Sequence, residues 1–482
     1  MVVVKACGSC LPPTHVEITP MSTLIMKFGG TSVGSAEAIA QVCVIVKSHY
    51  QDWERLVVVV SAMRGVTDSL IRCAALAVQR EENQYLALIE QINQSHHTVM
   101  EEVVSGEVEI QRLSAQFEEH IFELTAYCRS IHVLGEVTPR GMDTITSLGE
   151  RMNAPLVAAA LRTQGLAGQA VDAAQLIVTD DSFQNANPLE GETRNKVDEV
   201  LQPLLNEKVI PVVTGFVAAT QDGILTTLGR GGSDYTAAIL GDSLDASEVW
   251  TWTDVDGVMT ADPRIVANAR VIPELSFSEV SELAYFGAKV LHPKTLRPII
   301  ERDIPLWVKN TFNPESMGTK IIRSSPSREG KVTAITTIRD LCLVTVEGRG
   351  MLGIPGIAAR TFSAVARQGA SVLMISQSSS EQSICFVIPT KTVKGVIQSI
   401  ESEMELELSR RDIDRVWAQP EIVIVTVVGA GLRNTPGISG RTFSALGEAG
   451  INVIAIAQGS SEFSISIVVA EEDADHAMRQ IH

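Results

Sequence analysis

Lys27-Phe28-Gly29-Gly30-Thr31-Ser32 sets a lysine at the end of an apolar run, then two glycines, then the start of a helical pattern. Such a turn lets backbone N–H groups close on phosphate oxygens, with a helix dipole and a fixed cation adding attraction. Ser61-Ala62-Met63-Arg64-Gly65-Val66-Thr67 follows a second apolar run and offers hydroxyls. In Leu228-Gly229-Arg230-Gly231-Gly232-Ser233-Asp234-Tyr235 the glycines make room, Arg230 offers a fork to a carboxylate and Asp234 an acceptor to an ammonium. Thr253-Asp254-Val255-Asp256-Gly257 ends a further run and Asp262-Pro263-Arg264 comes after it. Gly287-Ala288-Lys289-Val290-Leu291-His292-Pro293 adds another lysine. Any one of these loops could be a plain connection. Five on successive strand ends of one domain are expected to meet at the carboxyl edge of an open α/β sheet, where ligands bind. The chemistry they describe is the approach of anions, held by cations and amides.

Two familiar patterns carry less. Gly30-Thr31-Ser32-Val33-Gly34 matches G-x-S-x-G between a strand and a helix, the setting of a hydrolase nucleophile. Only one strand precedes it, and no later Asp-then-His pair on strand ends would serve it; His292 stands before Pro293 in a different segment. Gly348-Arg349-Gly350-Met351-Leu352-Gly353 matches the dinucleotide pattern G-x-G-x-x-G. Its repeat partner, Gly429-Ala430-Gly431-Leu432-Arg433-Asn434, lacks the third glycine, and no acidic residue ends the next strand to hold a ribose. A turn that admits a small ligand to the backbone accounts for both copies. The sequence has no G-x-x-x-x-G-K-[ST] loop.

The elements that must hold these loops read as α/β. Residues 24–28 form a short apolar run, ahead of an amphipathic helix over about 35–47. Residues 56–60 are all apolar and mostly β-branched, as for a strand buried on both faces of a parallel sheet. Residues 209–213 and 249–253 repeat that character between helical stretches. Residues 81–132 predict a helical excursion. The breaker-rich stretch 324–330 marks a domain boundary. The division expected is a flexible extension over 1–20, a catalytic domain over 21–325, and two smaller modules over 326–420 and 421–482.

Those modules are an internal repeat. Pro355-Gly356-Ile357-Ala358-Ala359-Arg360-Thr361-Phe362-Ser363-Ala364 recurs 81 residues later as Pro436-Gly437-Ile438-Ser439-Gly440-Arg441-Thr442-Phe443-Ser444-Ala445. The same offset carries Gln377-Ser378-Ser379-Ser380-Glu381 onto Gln458-Gly459-Ser460-Ser461-Glu462. Each copy reads as a small α+β unit, and two copies are too few for a solenoid. The first copy runs on to a last strand near 413–417, for which the second has no counterpart before His482. Residues 332–338 have strand character and are expected to complete the second copy's sheet.

At 482 residues the chain exceeds one ordinary core, so two or three domains are expected. A net charge of −18 argues against nucleic acid or an anionic membrane as main partner, while a local cationic pocket can still take an anionic substrate. No apolar run approaches the roughly 18–20 residues needed to span a bilayer. Seven cysteines without framework spacing read as reduced thiols of a cytoplasmic protein. Cys7 and Cys10 make a C-x-x-C with no second ligand pair near them, so no metal site is expected. The segment holding them matches neither a signal nor a transit peptide. It reads as a flexible extension or as an over-long start with Met21 as the natural beginning.

At the loops quoted above, the sequence resembles a known family. Lys27 to Ser32, Leu228 to Asp234, Thr253 to Gly257 with Asp262-Pro263-Arg264, and Phe286 to Pro293 look like the signatures of aspartate kinases. The match runs in order and spacing from about Thr23 to His482. The repeats resemble the paired ACT regulatory modules of that family, and their Gln-containing stretches look closest to forms fused to homoserine dehydrogenase, which respond to threonine. The chain then reads as a free-standing kinase or the kinase part of a longer protein. The resemblance implies an open, mostly parallel sheet sandwiched by helices, of the amino-acid-kinase type, followed by two ferredoxin-like α+β modules. It implies that Lys27 contacts the transferring phosphoryl group and forms the catalytic set with Arg230 and Asp234. Gly29, Gly30, Thr31, Ser32, Thr253, Asp254, Arg264 and Lys289 would belong to the ATP site. Ser61, Thr67, Glu150, Arg230 and Asp234 would surround aspartate, with Glu150 in Ser147-Leu148-Gly149-Glu150, where the family places its substrate-binding glutamate. Met259 departs from a tyrosine that lines the nucleotide pocket in some members.

The implied reaction is ATP-dependent phosphorylation of the β-carboxylate of L-aspartate to 4-phospho-L-aspartate, the first step toward lysine, threonine and methionine. A carboxylate of pKa about 3.9 is already ionised, so no general base is required. The demand is for positive charge, N–H donors and Mg²⁺, the metal held mostly by phosphates and water. Met351, Ile354 and Gly356 with Gln377, and Asn434 and Gly437 with Gln458, are expected to hold a feedback amino acid, threonine first and lysine second. Duplicated modules suit a homodimer or higher homo-oligomer; the plain alternative is that they only build that interface. Two rival readings remain: a kinase of the same fold acting on glutamate or acetylglutamate, and a non-catalytic amino-acid sensor.

Overall fold

Alternation along the first strands decides what each side chain meets. The computed structural model describes residues 22–287, 291, 293–324, 330–351, 354–377, 382–458 and 462–482. The chain opens with β1 (Thr23–Phe28), α1 (Ala36–His49), β2 (Arg55–Val60) and α2 (Val66–Val78). Leu24, Met26 and Phe28 enter one apolar core with Leu56, Val58 and Val60, whereas Ile25 enters a second core with Val57 and Val59. A strand has a side-chain period of two, so Lys27 shares the face of Ile25. Ser35 stops the loop and starts α1 as an N-cap, its hydroxyl accepting from Ala38 N at 3.2 Å.

The helical excursion is α3 (Glu82–Val103) and α4 (Glu107–Leu134), followed by α5 (Pro139–Thr163) with Thr138 as N-cap. Then come β3 (Gly168–Val171), β4 (Val178–Thr179), α6 (Glu190–Asn206), β5 (Ile210–Thr214), β6 (Val217–Thr220), β7 (Leu225–Thr227), α7 (Gly232–Ser243) and β8 (Glu248–Thr253). The larger, N-terminal half closes with β9 (Glu274–Ser276), α8 (Phe277–Tyr285), α9 (Pro293–Glu301), β10 (Leu306–Asn310) and β11 (Thr319–Ile322). The main sheet has the order β3-β5-β2-β1-β8-β10-β11-β9, parallel except where β10 meets β11. Helices α1 to α5 pack on one face, α6, α7 and α9 on the other. A separate three-stranded sheet, β4-β6-β7, stands beside it.

The repeats fold as β12 (Ala334–Glu347), α10 (Ile357–Arg367), β13 (Met374–Gln377), β14 (Ser383–Pro389), α11 (Val393–Glu403), α12 (Glu405–Arg410), β15 (Arg415–Val428), α13 (Ile438–Glu448), β16 (Ala455–Ala457), β17 (Ser464–Ala470) and α14 (Ala474–Ile481). The last strand expected near 413–417 is not separate: it continues through Val428 as β15. Likewise β12 spans both repeats. Residues 334–338 pair with 424–428, where the sequence expected them, and 343–347 pair with 415–419. Between those stretches the register shifts, and Asp340 and Glu421 take φ of 59° and 56°. Each repeat therefore holds a four-stranded sheet: the first from its own strands, 415–419 included, and the second completed by 334–338, which lie ahead of the first.

The halves of the molecule are packed together. Ala261 and Val266, from the connection between β8 and β9, lie in the apolar core of the second repeat with Ile465, Ile467 and Met478. Phe286 joins the core between the repeats, and Thr336 Oγ1 donates to its carbonyl at 2.9 Å. The buried Glu279 carboxylate accepts from Ser276 in the capping box of α8 and from Thr333 Oγ1 at 2.8 Å. Among the described residues no helix is long and apolar enough to cross a membrane. The boundary expected at 324–330 falls largely on residues outside the described ones, as do Cys7 and Cys10.

Candidate active site

Strands β2, β1 and β8 are neighbours, and their carboxyl ends release three loops side by side. Backbone bonds bind those ends: Gly29 N donates to Trp252 O at 3.0 Å and Ser61 N to Phe28 O at 3.1 Å. A Cβ on Gly30 would lie 3.0 Å from Ala62 O, so a side chain there would prise the first turn from the second. The loop of Arg230 follows β7 of the small sheet, and the 287–293 segment joins two helices. The expectation of five loops on successive strand ends is corrected to three; the Arg230 loop reaches the cleft from the small sheet, and the 287–293 segment lies largely outside the described residues.

The loops enclose an open cleft of about 570 Å³. It is lined by Lys27, Gly29, Gly30, Thr31, Ser61, Thr67, Glu150, Arg230, Asp234, Thr253 and Asp254, among others. Another cavity is as large, at about 660 Å³ between α4, α5 and β3, so volume does not choose between them. Side-chain chemistry does. Two residues of the sequence-based set are not brought in. Ser32 is fully buried; its hydroxyl donates to Trp252 O at 3.3 Å and accepts from Thr311 Oγ1 at 2.7 Å, so it braces the turn from behind. Arg264 is exposed and chelated by its own neighbour Asp262 at 2.6 Å, on the segment that enters the second repeat. Lys289 lies outside the described residues.

Lys27 is 7 % exposed and faces α7, whose first turn supplies Asp234. Their charged groups meet at 2.7 Å. Lys27 is therefore held in place by a carboxylate before any substrate arrives. Gly231 caps α7 with φ 73° and Gly229 takes φ 77°, left-handed conformations that glycine adopts without strain. Arg230 between them is exposed and makes no ion pair among the described residues.

Glu150 comes from the opposite side, on α5, and is 3 % exposed. Burial pushes its carboxyl up to about 8, against the opposing pull of the Ala62 amide and the Lys27 ammonium. One of its oxygens, Oε2, is buried without a hydrogen-bond partner. A buried acceptor of that kind is costly unless something fills it. Gly149 lets α5 come this close: a Cβ there would sit 2.7 Å from Ala62 Cβ.

The cleft also contains groups that sequence reasoning passed over. Arg64 lines it from the second loop, Asp68 from the first turn of α2, and Phe216 from the turn between β5 and β6. Thr214-Gly215-Phe216 offered a signal, a glycine after a buried strand; a Cβ on Gly215 would collide with Ser233 at 2.5 Å. Asn153 Nδ2 donates to Ser61 O at 2.6 Å, a link between helix and loop that no local pattern announces.

In the first repeat, Met351, Ile354, Gly356 and Gln377 line one cavity of about 340 Å³. In the second, Gly437 caps α13 with φ 89°, matching Gly356 at 92°, and Asn434 Nδ2 donates to Glu462 at 3.2 Å. Gln458 follows β16 as Gln377 ends β13.

Comparison with known proteins places these features in a family. The model described as the amino acid kinase family matches residues 22–310, and that described as the ACT domain matches 344–404 and 425–482. Bifunctional aspartokinase/homoserine dehydrogenase 1 of Arabidopsis thaliana, a chloroplastic protein, is 39% identical over 96% of this chain and 51% of its own length. The chain spans about half the length of such bifunctional relatives. Aspartokinase 3, chloroplastic, of the same plant is 35% identical over 95% of this chain and 81% of its own length. The crystal structure of E. coli aspartokinase III in complex with aspartate and ADP superposes with a TM-score of 0.78 at 30% identity, covering 96% of this chain and 99% of that one.

Proposed function

The chain belongs to the amino acid kinase family, among aspartokinases with tandem ACT modules, and on that premise we propose that it transfers the γ-phosphoryl group of ATP to the β-carboxylate of L-aspartate. The products are 4-phospho-L-aspartate and ADP, at the head of the aspartate-derived amino acid pathway. The observation that carries this reading is the cleft in which the paired Lys27 and Asp234, the free Arg230 and the buried Glu150 surround the Gly29–Gly30 turn. The aspartate and ADP bound by E. coli aspartokinase III support the same pair of reactants.

The β-carboxylate is ionised at neutral pH, so its oxygen attacks the γ-phosphorus without losing a proton as the bond to the ADP oxygen breaks. The protein's task is electrostatic. Arg230 takes the α-carboxylate, and Glu150 with Asp234 takes the ammonium. As that ammonium draws on Asp234, Lys27 turns its charge toward the transferring phosphoryl group. The Gly29 and Gly30 amides and Thr31 receive the phosphates, with Thr253 and Asp254 at the nucleotide rim. Among the described residues no group of three or more metal-ligating side chains gathers. Mg²⁺ would enter on the phosphates, with Asp254 within the cleft to join its shell, and would offset phosphate charge.

Met351, Ile354, Gly356 and Gln377 form the first effector site and Asn434, Gly437 and Gln458 the second, for threonine before lysine. Pairing of subunits through the repeats and a cytoplasmic setting belong to the same proposal. A coupled assay of ADP release tests it, with aspartate, glutamate and acetylglutamate as acceptors and threonine or lysine added. Release with aspartate alone, lowered by threonine, is the expected result. Release with glutamate or acetylglutamate instead, or none with any acceptor, overturns it.

A further inference from the structure

We propose that Asp143 is a positioning residue that sets the Arg230 loop from behind and so tunes aspartate binding; this rests on the substrate reading above. Asp143 lies on α5 two turns ahead of Glu150, on the same side of the helix, and is 1 % exposed. Its carboxylate accepts from Gln184 N at 2.8 and 3.1 Å, from Thr227 N at 3.2 Å and from Thr227 Oγ1 at 2.8 Å. No lysine or arginine pairs with it among the described residues. A buried carboxylate with no counter-charge is costly, and burial raises its proton affinity while these donors oppose the rise.

The donors identify what the group controls. Thr227 ends β7 and is the foot of the Arg230 loop, where Leu228 N next donates to Phe216 O at 3.0 Å. Gln184 belongs to a neighbouring loop closed by Asp180, which accepts from Asn187 N at 2.9 Å and Ser182 N at 3.2 Å. Gln184 takes φ 68°, a left-handed conformation that a non-glycine residue holds only when fixed by its surroundings. Gln184 and Asn185 press on Gly229: a Cβ there would lie 2.8 Å from Asn185 Oδ1 and 3.0 Å from Gln184 O. One carboxylate thus fastens both the foot of the loop and the wall it leans on. An asparagine fills the same space but turns a donor group toward donors, and only a carboxylate accepts from all of them.

Asp143→Asn is expected to raise KM for aspartate roughly 10-fold to 100-fold, the scale of a misplaced binding group. KM for ATP and kcat at saturating aspartate stay within about twofold. In an Arg230→Ala background the same change adds nothing further to KM, because its effect runs through Arg230. Thr227→Val, which removes one donor, moves KM in the same direction and stands in if Asp143→Asn does not fold. Hydrogen exchange at the amides of residues 228–231 is read in parallel and is expected to accelerate in Asp143→Asn; that readout does not depend on the substrate. A lowered kcat with unchanged KM, full additivity with Arg230→Ala, or unaltered exchange overturns the role. Absence of aspartate turnover in the wild-type chain, with accelerated exchange in the variant, strikes the substrate reading and leaves the positioning contact standing.

Discussion

Lys27 meets its substrates already neutralised. Its partner Asp234 sits 2.7 Å away in a site where both side chains are largely buried, so removing the lysine leaves a carboxylate uncompensated as well as a phosphoryl group unattended. Lys27→Ala is expected to lower kcat at least about 10²–10³-fold, with a smaller change in KM for ATP, by steady-state kinetics. Unchanged turnover would refute the assignment. Glu150 gives a second prediction, with a sign. Its carboxyl is pushed up to about 8 in the folded chain against 4.5 as a free side chain. Between those values the folded chain holds a proton that the unfolded chain has lost, so stability falls as pH rises from about 4.5 to about 8. Glu150→Gln should remove that slope from urea midpoints measured at pH 5.5 and pH 8. In the proposed complex aspartate would bring an ammonium beside Glu150 and should expel its proton at pH 7, up to about one per site. Calorimetry in buffers of different ionisation enthalpy would read it; proton uptake on binding contradicts the role.

At the scale of elements, the site depends on how closely α5 approaches the Ser61 loop. Alanine is favoured over glycine within a helix by about 1 kcal/mol. At position 149, however, the new methyl would stand 2.7 Å from Ala62 Cβ, which has no free torsion to yield. Such overpacking costs about 1–3 kcal/mol, so the clash prevails. Gly149→Ala should lower Tm and raise KM for aspartate by separating Glu150 from Ser61; a gain in Tm would show that the helix has room. Much of this level was legible beforehand. Buried strands announced themselves as β-branched runs, the glycine loops gave their own positions, and the repeat was visible as an offset. What stayed hidden depended on which element covers which face. Alternation puts Lys27 opposite Phe28, but only the docking of α7 puts Asp234 against it. The resemblance placed Ser32 in the ATP site, whereas its hydroxyl is consumed by Trp252 and Thr311, residues far away in sequence. Arg264 shares a stretch with Thr253 and Asp254, yet the chain between them turns away into another core. The Asp143 contacts reach 41 and 84 residues along the chain, beyond any local pattern.

For the whole molecule, catalytic and regulatory halves share apolar cores. Cutting after residue 324 would uncover Ala261, Val266 and Phe286, all buried in the intact chain. The excised catalytic part is expected to bind a hydrophobic dye and melt at least several degrees lower, while the full chain unfolds in one calorimetric transition. Two separated transitions in the full chain would contradict this. The crossing of β12 and β15 from one repeat into the other has its own consequence. Since the second takes a strand half from ahead of the first, and β12 and β15 each run through both sheets, nicking the backbone between the repeats would not yield two separate modules, and neither could tilt without dragging its sibling. An amino acid seated in one of them, as proposed, would be felt by both, so two occupancies could not count as independent votes.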